Sequence, residues 1–177
     1  MSKEDLRIHF KNIRQNITEI RRIEAQENLL REIKKLCQAK SRVLSFMSFG
    51  SEINTAEINQ YFLSKSQLCL PKEEKESLKF YKVNSIEMLE KNKYGFLEPK
   101  ANRDFEIYPD ENDLIIVPGL AYDLFGHRLG YGRGHFDKFF EKNLRGEKIG
   151  IGFVEQLSLI AFEMDQHDKK LDALYLF

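Results

Sequence analysis

The chain predicts an α/β fold in which a mostly parallel sheet is covered by helices on both faces. Two observations carry that expectation. Apolar, strand-like runs alternate along the chain with segments of helical periodicity, as they do in successive strand–helix units. The 177 residues, 42% of them hydrophobic, are enough for one sizeable core, so a single domain over residues 1–177 is expected.

Leu6, Phe10, Ile13 and Ile17 recur at three- and four-residue steps, which predicts an amphipathic helix over residues 3–17 and a second over 23–37. The run RVLSFMSF (42–49) reads as a buried strand. A helix follows in SEINTAEINQYFL, with Asn54 or Thr55 as cap and Glu57 placed to close a capping box from Asn54. SQLCLP and SLKFYKV read as strands, and SIEMLEKN as a short helix. Residues 95–112 hold two prolines, a glycine and many charges without periodicity, so they read as a surface loop or a lid. DLIIVPGLAYD is the strongest strand pattern and leads into a glycine-rich segment. HFDKFFEKNL then reads as a helix, KIGIGF as a strand, LSLIAFEM as a helical turn or short helix, and LDALYLF as the last strand.

Twenty-eight basic and twenty-eight acidic residues cancel, so no global field draws the chain to nucleic acid or an anionic membrane. Any anion site must be local. Cys37 and Cys69 are too few for a disulfide framework and too far apart for a metal pair, which suits a reducing compartment. The N-terminus is charged from its third residue, and the longest apolar run, LIIVPGLA, falls well short of a membrane span. A cytoplasmic protein is expected.

The segment RLGYGRGHFDKFF (128–140) places Gly130, Gly132 and Gly134 at every second position before a helix. It fails the dinucleotide fingerprint, whose third glycine would fall on His135, and the P-loop, whose second would fall on Tyr131. What remains is a backbone cleared for close approach, with Arg128 and Arg133 beside it and free N–H groups at a helix start. That reads as an anion cradle for phosphate, or else as an ordinary strand-to-helix turn with two solvated arginines. Asp137 lies in the first helical turn, where it complements the helix dipole or, beside a phosphate, holds Mg²⁺. Asp168, just before the last strand, is the candidate second acid. Lys3, Arg7, Lys11 and Arg14 form a stripe on the first helix, a pattern that ordinarily marks a solvated face. Glu52 follows the first strand as a loop acid or a helix-start charge.

Taken together, KEDLR (3–7), SEINT (51–55), YGFLEP (94–99), VPGLAYDLFGHRLGYGRGHFD (117–137) and HDKKLD (167–172) resemble the 5-formyltetrahydrofolate cyclo-ligase, or methenyltetrahydrofolate synthetase, family, nearly end to end and in order. The resemblance implies a three-layer α/β sandwich similar to sugar-phosphate isomerases and CoA transferases. It implies ATP- and Mg²⁺-dependent conversion of 5-formyltetrahydrofolate to 5,10-methenyltetrahydrofolate by a monomer, with release of ADP and phosphate. By position, Lys3, Arg7, Arg128, Gly130, Gly132, Arg133, Gly134 and Asp137 resemble ATP contacts. Met47, Glu52, Tyr131, Gly132, Arg133, Gly134 and His135 resemble folate contacts, and Asp137 and Asp168 the metal-side acids. Family members commonly read Gly-Tyr-Tyr-Asp-Arg where this chain has Gly134, His135, Phe136, Asp137 and Lys138. The alternatives left open are a non-catalytic folate- or nucleotide-binding relative and a phosphosugar-binding protein of the same fold.

Overall fold

The computed structural model describes residues 2–75, 77–93, 95–143, 145–163, 165 and 168–177. Helix α1 (Lys3–Gln15) begins at a reciprocal capping box between Ser2 and Asp5. Helix α2 (Glu19–Leu36) starts ahead of its expected position, because the Thr18 hydroxyl accepts from Arg21 N–H and caps it. Then come β1 (Val43–Leu44), α3 (Ala56–Ser64), β2 (Leu68–Glu74), β3 (Ser77–Lys82), β4 (Leu89–Lys91), β5 (Leu97–Pro99), β6 (Glu106–Ile107) and β7 (Leu114–Val117). The chain closes with β8 (Ala121–Asp123), β9 (Arg128–Leu129), α4 (His135–Lys142), β10 (Glu147–Gly152), β11 (Leu157–Ser158) and β12 (Ala173–Leu176).

Among the described residues the main sheet has seven strands in the order β12–β10–β7–β1–β2–β3–β6. It is parallel from β12 to β2 and antiparallel only at β2–β3 and β3–β6. Alternation along β7 builds the layers: Leu114 and Ile116 pack with Leu29, Ile33 and Phe62 of α2 and α3, whereas Ile115 and Val117 pack with Phe139 and Phe140 of α4. Phe62 and Phe140 are fully buried on opposite faces, and truncating either to Ala would cost about 3–5 kcal/mol. Helix α1 instead lays Leu6, Phe10 and Ile13 on a small sheet of β11, β8 and β9. Cys37 and Cys69 are buried free thiols, each pushed up to about 12 by loss of solvent. No helix among the described residues is long and apolar enough to cross a membrane.

Several elements differ from expectation, each for a local reason. The 42–49 strand pairs only at Val43–Leu44. Beyond Ser45, the Thr55 hydroxyl and Asn59 amide donate to Phe46 O and Thr55 Oγ1 accepts from Ser48 N–H, so the chain leaves the sheet. Thr55 thereby turns away from α3, and the first helical residue, Ala56, donates to Asn54 Oδ1 instead of a capping box with Glu57. SIEMLEKN is a 3₁₀ turn and the strand β4, and the 95–112 stretch contains β5, a 3₁₀ turn and β6. Lys72 fastens the β4–β5 hairpin by bridging Glu90 and Glu98 at 2.8 and 2.7 Å. DLIIVPGLAYD breaks at Pro118, which has no N–H for a ladder, and divides between the two sheets. LSLIAFEM is no helix through Phe162: β11 ends where Ser158 bonds Ile160, and Phe162 N–H is drawn to buried Asp123. Met164 at its end, like Tyr94, Leu144 and His167 of other expected segments, lies outside the described residues.

The strand order places the functional loops. From β1 the chain builds β2, β3 and β6 on one side, and then β7, β10 and β12 on the other. The order therefore reverses between β1 and β7, and open α/β sheets bind ligands beyond the carboxyl ends of the strands at such a switch. Those two ends carry Met47 and Glu52 on one loop and the Pro118–Gly134 stretch on the other.

Candidate active site

A cavity of about 740 Å³ opens beyond these strand ends. Arg128, Gly130, Tyr131, Arg133, Gly134, His135, Phe136 and Asp137 form one wall. Phe49, Leu78, Phe96, Pro118 and Glu73 form the rest, with the Phe49 and Phe96 rings 4.6 Å apart, edge to face. Gly132 and Gly134 have φ of +96° and +64°, a region costly for any other residue. Gly132 also lies against the Arg7 guanidinium, where an added Cβ would meet Arg7 Cζ at 3.4 Å. Arg7 Nε donates to Gly130 O at 3.0 Å, so α1 props the loop from behind. Gly134 caps α4 with no side-chain bond, which leaves the first N–H groups of the helix without a side-chain acceptor at residues that line the cavity.

Arg128 is buried rather than solvated. Its side chain is 6% exposed, its Nη2 forms an ion pair with Asp137 Oδ2 at 2.8 Å, and its guanidinium lies 5.7 and 5.8 Å from the Phe136 and Phe140 ring centroids. Its Nη1 is buried with no hydrogen-bond partner among the described residues. A buried donor left unsatisfied is costly, and an anion at the cavity wall would offset that cost. Arg133 is mostly exposed and, with His135, approaches Glu73 at 3.8 and 3.6 Å.

Lys3 bonds Asp165 at 2.6 Å and Asp168 at 2.9 Å. Burial would lower the Lys3 pKa, but those two carboxylates raise it above the usual lysine value. Burial would raise the Asp168 carboxyl, yet the Asp165 N–H and Lys3 hold it below the usual range. Lys169 N–H donates to Asp137 Oδ1 at 3.3 Å, which brings the loop carrying Asp168 to Asp137. No cluster of three or more His, Cys, Asp or Glu side chains that could hold a metal is found among the described residues. Two acids with hard oxygen donors are nonetheless enough for Mg²⁺ beside phosphate, because phosphate and water complete its shell.

Glu52 is half-buried. Its Oε2 accepts from Phe49 N–H at 2.9 Å and its Oε1 from the Tyr131 hydroxyl at 2.7 Å. Burial pushes its pKa up, against the opposing pull of Tyr131, Phe49 N–H and Arg14. Burial and the Glu52 charge likewise push the Tyr131 hydroxyl up. Met47 is packed against the main core, with Asn59 Nδ2 at 3.6 Å from its sulfur, and does not line the large cavity. Glu52, Lys3, Arg7, Gly132 and Asp168 also stand behind or beside that cavity rather than in its wall.

The model of the 5-formyltetrahydrofolate cyclo-ligase family matches residues 1–176. The chain belongs to this family. It is 28% identical over 161 residues to 5-formyltetrahydrofolate cyclo-ligase of Haemophilus influenzae, covering 87% of this chain and 86% of that one. It is 40% identical over 111 residues to a probable 5-formyltetrahydrofolate cyclo-ligase of Schizosaccharomyces pombe, covering 55% and 54%. The solved 5,10-methenyltetrahydrofolate synthetase of Aquifex aeolicus superposes with a TM-score of 0.84 at 28% identity, over 98% of this chain and 89% of that one. The Mycoplasma pneumoniae synthetase shares the fold, with a TM-score of 0.76 at 19% identity over 98% of each chain. Cyclo-ligase membership makes this chain an enzyme of the ligase class.

Sequence reasoning about the cyclo-ligase site missed Phe49, Phe96, Glu73 and Arg14. Phe96 carries a signal, as a large apolar residue beside Gly95 in a stretch that reads as loop, whereas Phe49 ends a run that reads as a buried strand and so passes for core. Glu73 lies in a charged run with no distinguishing pattern. Arg14 was assigned to the solvated stripe, yet only 3% of it is exposed.

Proposed function

We propose that the protein uses ATP to convert 5-formyltetrahydrofolate into 5,10-methenyltetrahydrofolate, with release of ADP and phosphate. One observation carries this beyond family membership: a buried arginine with an unspent donor, Arg128 Nη1, lies beside an uncapped helix start in the wall of a cavity rich in aromatic side chains. Such a site suits an anionic phosphate chain meeting a flat heteroaromatic ring.

A formyl amide is a poor electrophile because its nitrogen lone pair is delocalised onto oxygen. In the proposed reaction the formyl oxygen takes the γ-phosphoryl group and ADP leaves. N10 then adds to the activated carbon and loses its proton, and phosphate departs to leave the methenyl ring. Phosphoryl transfer is mostly positioning and charge neutralisation, so no protein nucleophile is required. Arg128, Arg133 and the α4 N–H groups would bind phosphate oxygens, and Arg7 would keep the glycine loop in place. Lys3 would exchange its aspartates for phosphate. Glu52, with Met47, Tyr131 and His135 nearby, would orient the folate. Asp137 and Asp168 would hold Mg²⁺, which when bound neutralises the phosphate charge. We further read the protein as cytoplasmic, because its two thiols are buried and unpaired, and as a monomer, as the family resemblance implies.

Mixing protein, ATP, Mg²⁺ and 5-formyltetrahydrofolate should produce methenyltetrahydrofolate absorbance with matching ATP consumption. Binding of both ligands without turnover would instead mark a non-catalytic relative. No folate binding at all would overturn the reading.

A further inference from the structure

We propose that Arg14 is a positioning residue that fixes Glu52 as an ionised acceptor for the folate by locking the direction of the Tyr131 hydroxyl, an inference that rests on reading Glu52 as a folate contact. Arg14 lies in the last turn of α1 and sends each guanidinium nitrogen to a different segment. Nε donates to Ser51 Oγ at 2.9 Å, Nη1 to Gly119 O at 3.3 Å, and Nη2 to the Tyr131 hydroxyl oxygen at 2.5 Å. These segments are the Glu52 loop, the turn after β7 and the glycine loop.

The donor and acceptor rules fix the relay. A guanidinium has no acceptor and does not lose its proton, so Tyr131 must accept from it. The Tyr131 proton then goes to Glu52 Oε1 at 2.7 Å. A protonated Glu52 would bring a competing donor to that contact. The arrangement therefore favours the carboxylate and leaves its remaining lone pairs for ligand N–H groups.

Arg14 comes from α1 and Tyr131 from the glycine loop; Tyr122 of β8 and Gln156, in the turn after β10, also face Glu52. Both of the latter are neutral and already committed, Tyr122 to Ile151 O at 2.8 Å and Gln156 to Gly119 O at 2.9 Å. Among the described residues facing Glu52, Arg14 supplies the permanent charge. Burial raises the Glu52 pKa and Arg14 restrains it. Without Arg14 it rises further, so the carboxylate is lost at a higher pH and the acid limb of folate KM moves upward.

A merely structural role is separated by Arg22, which donates to Ser51 O at 3.1 Å, to Ile17 O at 3.2 Å and to the Arg14 backbone carbonyl, and so braces the same segments with no bond to Tyr131 or Glu52. KM for 5-formyltetrahydrofolate and for ATP is measured across pH for Arg14→Met, Arg14→Lys, Tyr131→Phe, Arg22→Met and Glu52→Gln. Arg14→Met should move the acid limb of folate KM up by about one pH unit, which raises KM by about tenfold at a pH on that limb. ATP KM should stay within about twofold, since the relay touches no phosphate contact. Arg14→Lys should recover part of the shift. Tyr131→Phe, which keeps the ring, should reproduce it even if Arg14→Met folds poorly. Arg22→Met should lower Tm and leave the limb in place. A folded Tyr131→Phe or Arg14→Met with the wild-type folate profile overturns the proposal, as does a limb shift shared by Arg22→Met. If Glu52→Gln leaves folate KM unchanged, the folate role of Glu52 fails, and the relay with it.

Discussion

Two buried arginines flank the site, and they differ in how their donors are spent. Arg14 engages Ser51, Gly119 and Tyr131, one partner for each of its three nitrogens, drawn from three segments of the protein. The Arg128 side chain is also largely enclosed, but it pairs Nη2 with Asp137 and leaves Nη1 buried without an acceptor. Burying a guanidinium is costly, and the cost is offset only when its donors are satisfied. A saturated cation therefore belongs to the framework, whereas one short of an acceptor marks where an anion completes the structure. On the proposed function, the contrast divides the site between folate orientation and phosphate binding, and substitutions can break it.

The largest effect is expected at the Arg128 end. Asp137→Asn should lower turnover by about two orders of magnitude, in keeping with the weight of electrostatic terms in phosphoryl transfer. The Mg²⁺ concentration giving half-maximal rate should rise, and the ligand-free Tm should fall by a few degrees, since Asn keeps a hydrogen bond in the first helical turn but leaves buried Arg128 without its counter-charge. Normal turnover at low Mg²⁺ would reduce Asp137 to a helix-start charge. At the opposite end, Glu52→Gln should raise folate KM about ten- to a hundredfold with little change in ATP KM, because a charge-assisted bond contributes roughly 1.5–3 kcal/mol. Equal losses for both substrates would erase the division between the two ends.

The two ends were not equally legible in the sequence. The strand–helix alternation gave away the layered fold because long parallel strands and amphipathic helices carry distinct periods. The two-residue ladders of β1, β6, β9 and β11 are too short to carry any period, and Ser48, Thr55 and Asn59 set where β1 ends through side-chain bonds that no local pattern announces. The glycine loop was visible because its need for positive φ is written in residue type at Gly132 and Gly134. The burial of Arg128 was not, since it depends on Phe136 and Phe140, in the first and second turns of α4, returning over it. Arg14 shared its spacing with exposed Lys11, and only the packing of α1 on the small sheet turns one inward and the other out.

That last difference supplies a mid-sized test within a single helix. Arg7→Ala should raise ATP KM by about tenfold, because Arg7 holds Gly130 O and packs against Gly132, and one hydrogen bond from a charged group is worth roughly that factor. Lys11→Ala, on the exposed part of the stripe, should leave ATP KM unchanged. Equal effects would return the whole stripe to a solvated face.

The smallest expected effect concerns stability and separates the two arginines directly. Replacing Arg14 by Met leaves Gly119 O with one partner fewer and Ser51 and Tyr131 without their guanidinium contact in a dry region. The loss should be about 1–3 kcal/mol, read as a Tm lower by several degrees in the ligand-free protein. Arg128→Met removes a cation whose burial was incompletely offset and puts an apolar chain between Phe136 and Phe140. Asp137 would keep Lys169 N–H and the dipole of α4, and its side chain is 20% exposed to water, so the ligand-free Tm should move little. Added ATP should then stabilise Arg14→Met as it does the wild type and fail to stabilise Arg128→Met, because ligand-dependent stabilisation scales with affinity for the folded state. A Tm loss at Arg128 as large as that at Arg14, with ATP stabilisation intact, would make Arg128 a second framework cation and leave the phosphate end without its anchor.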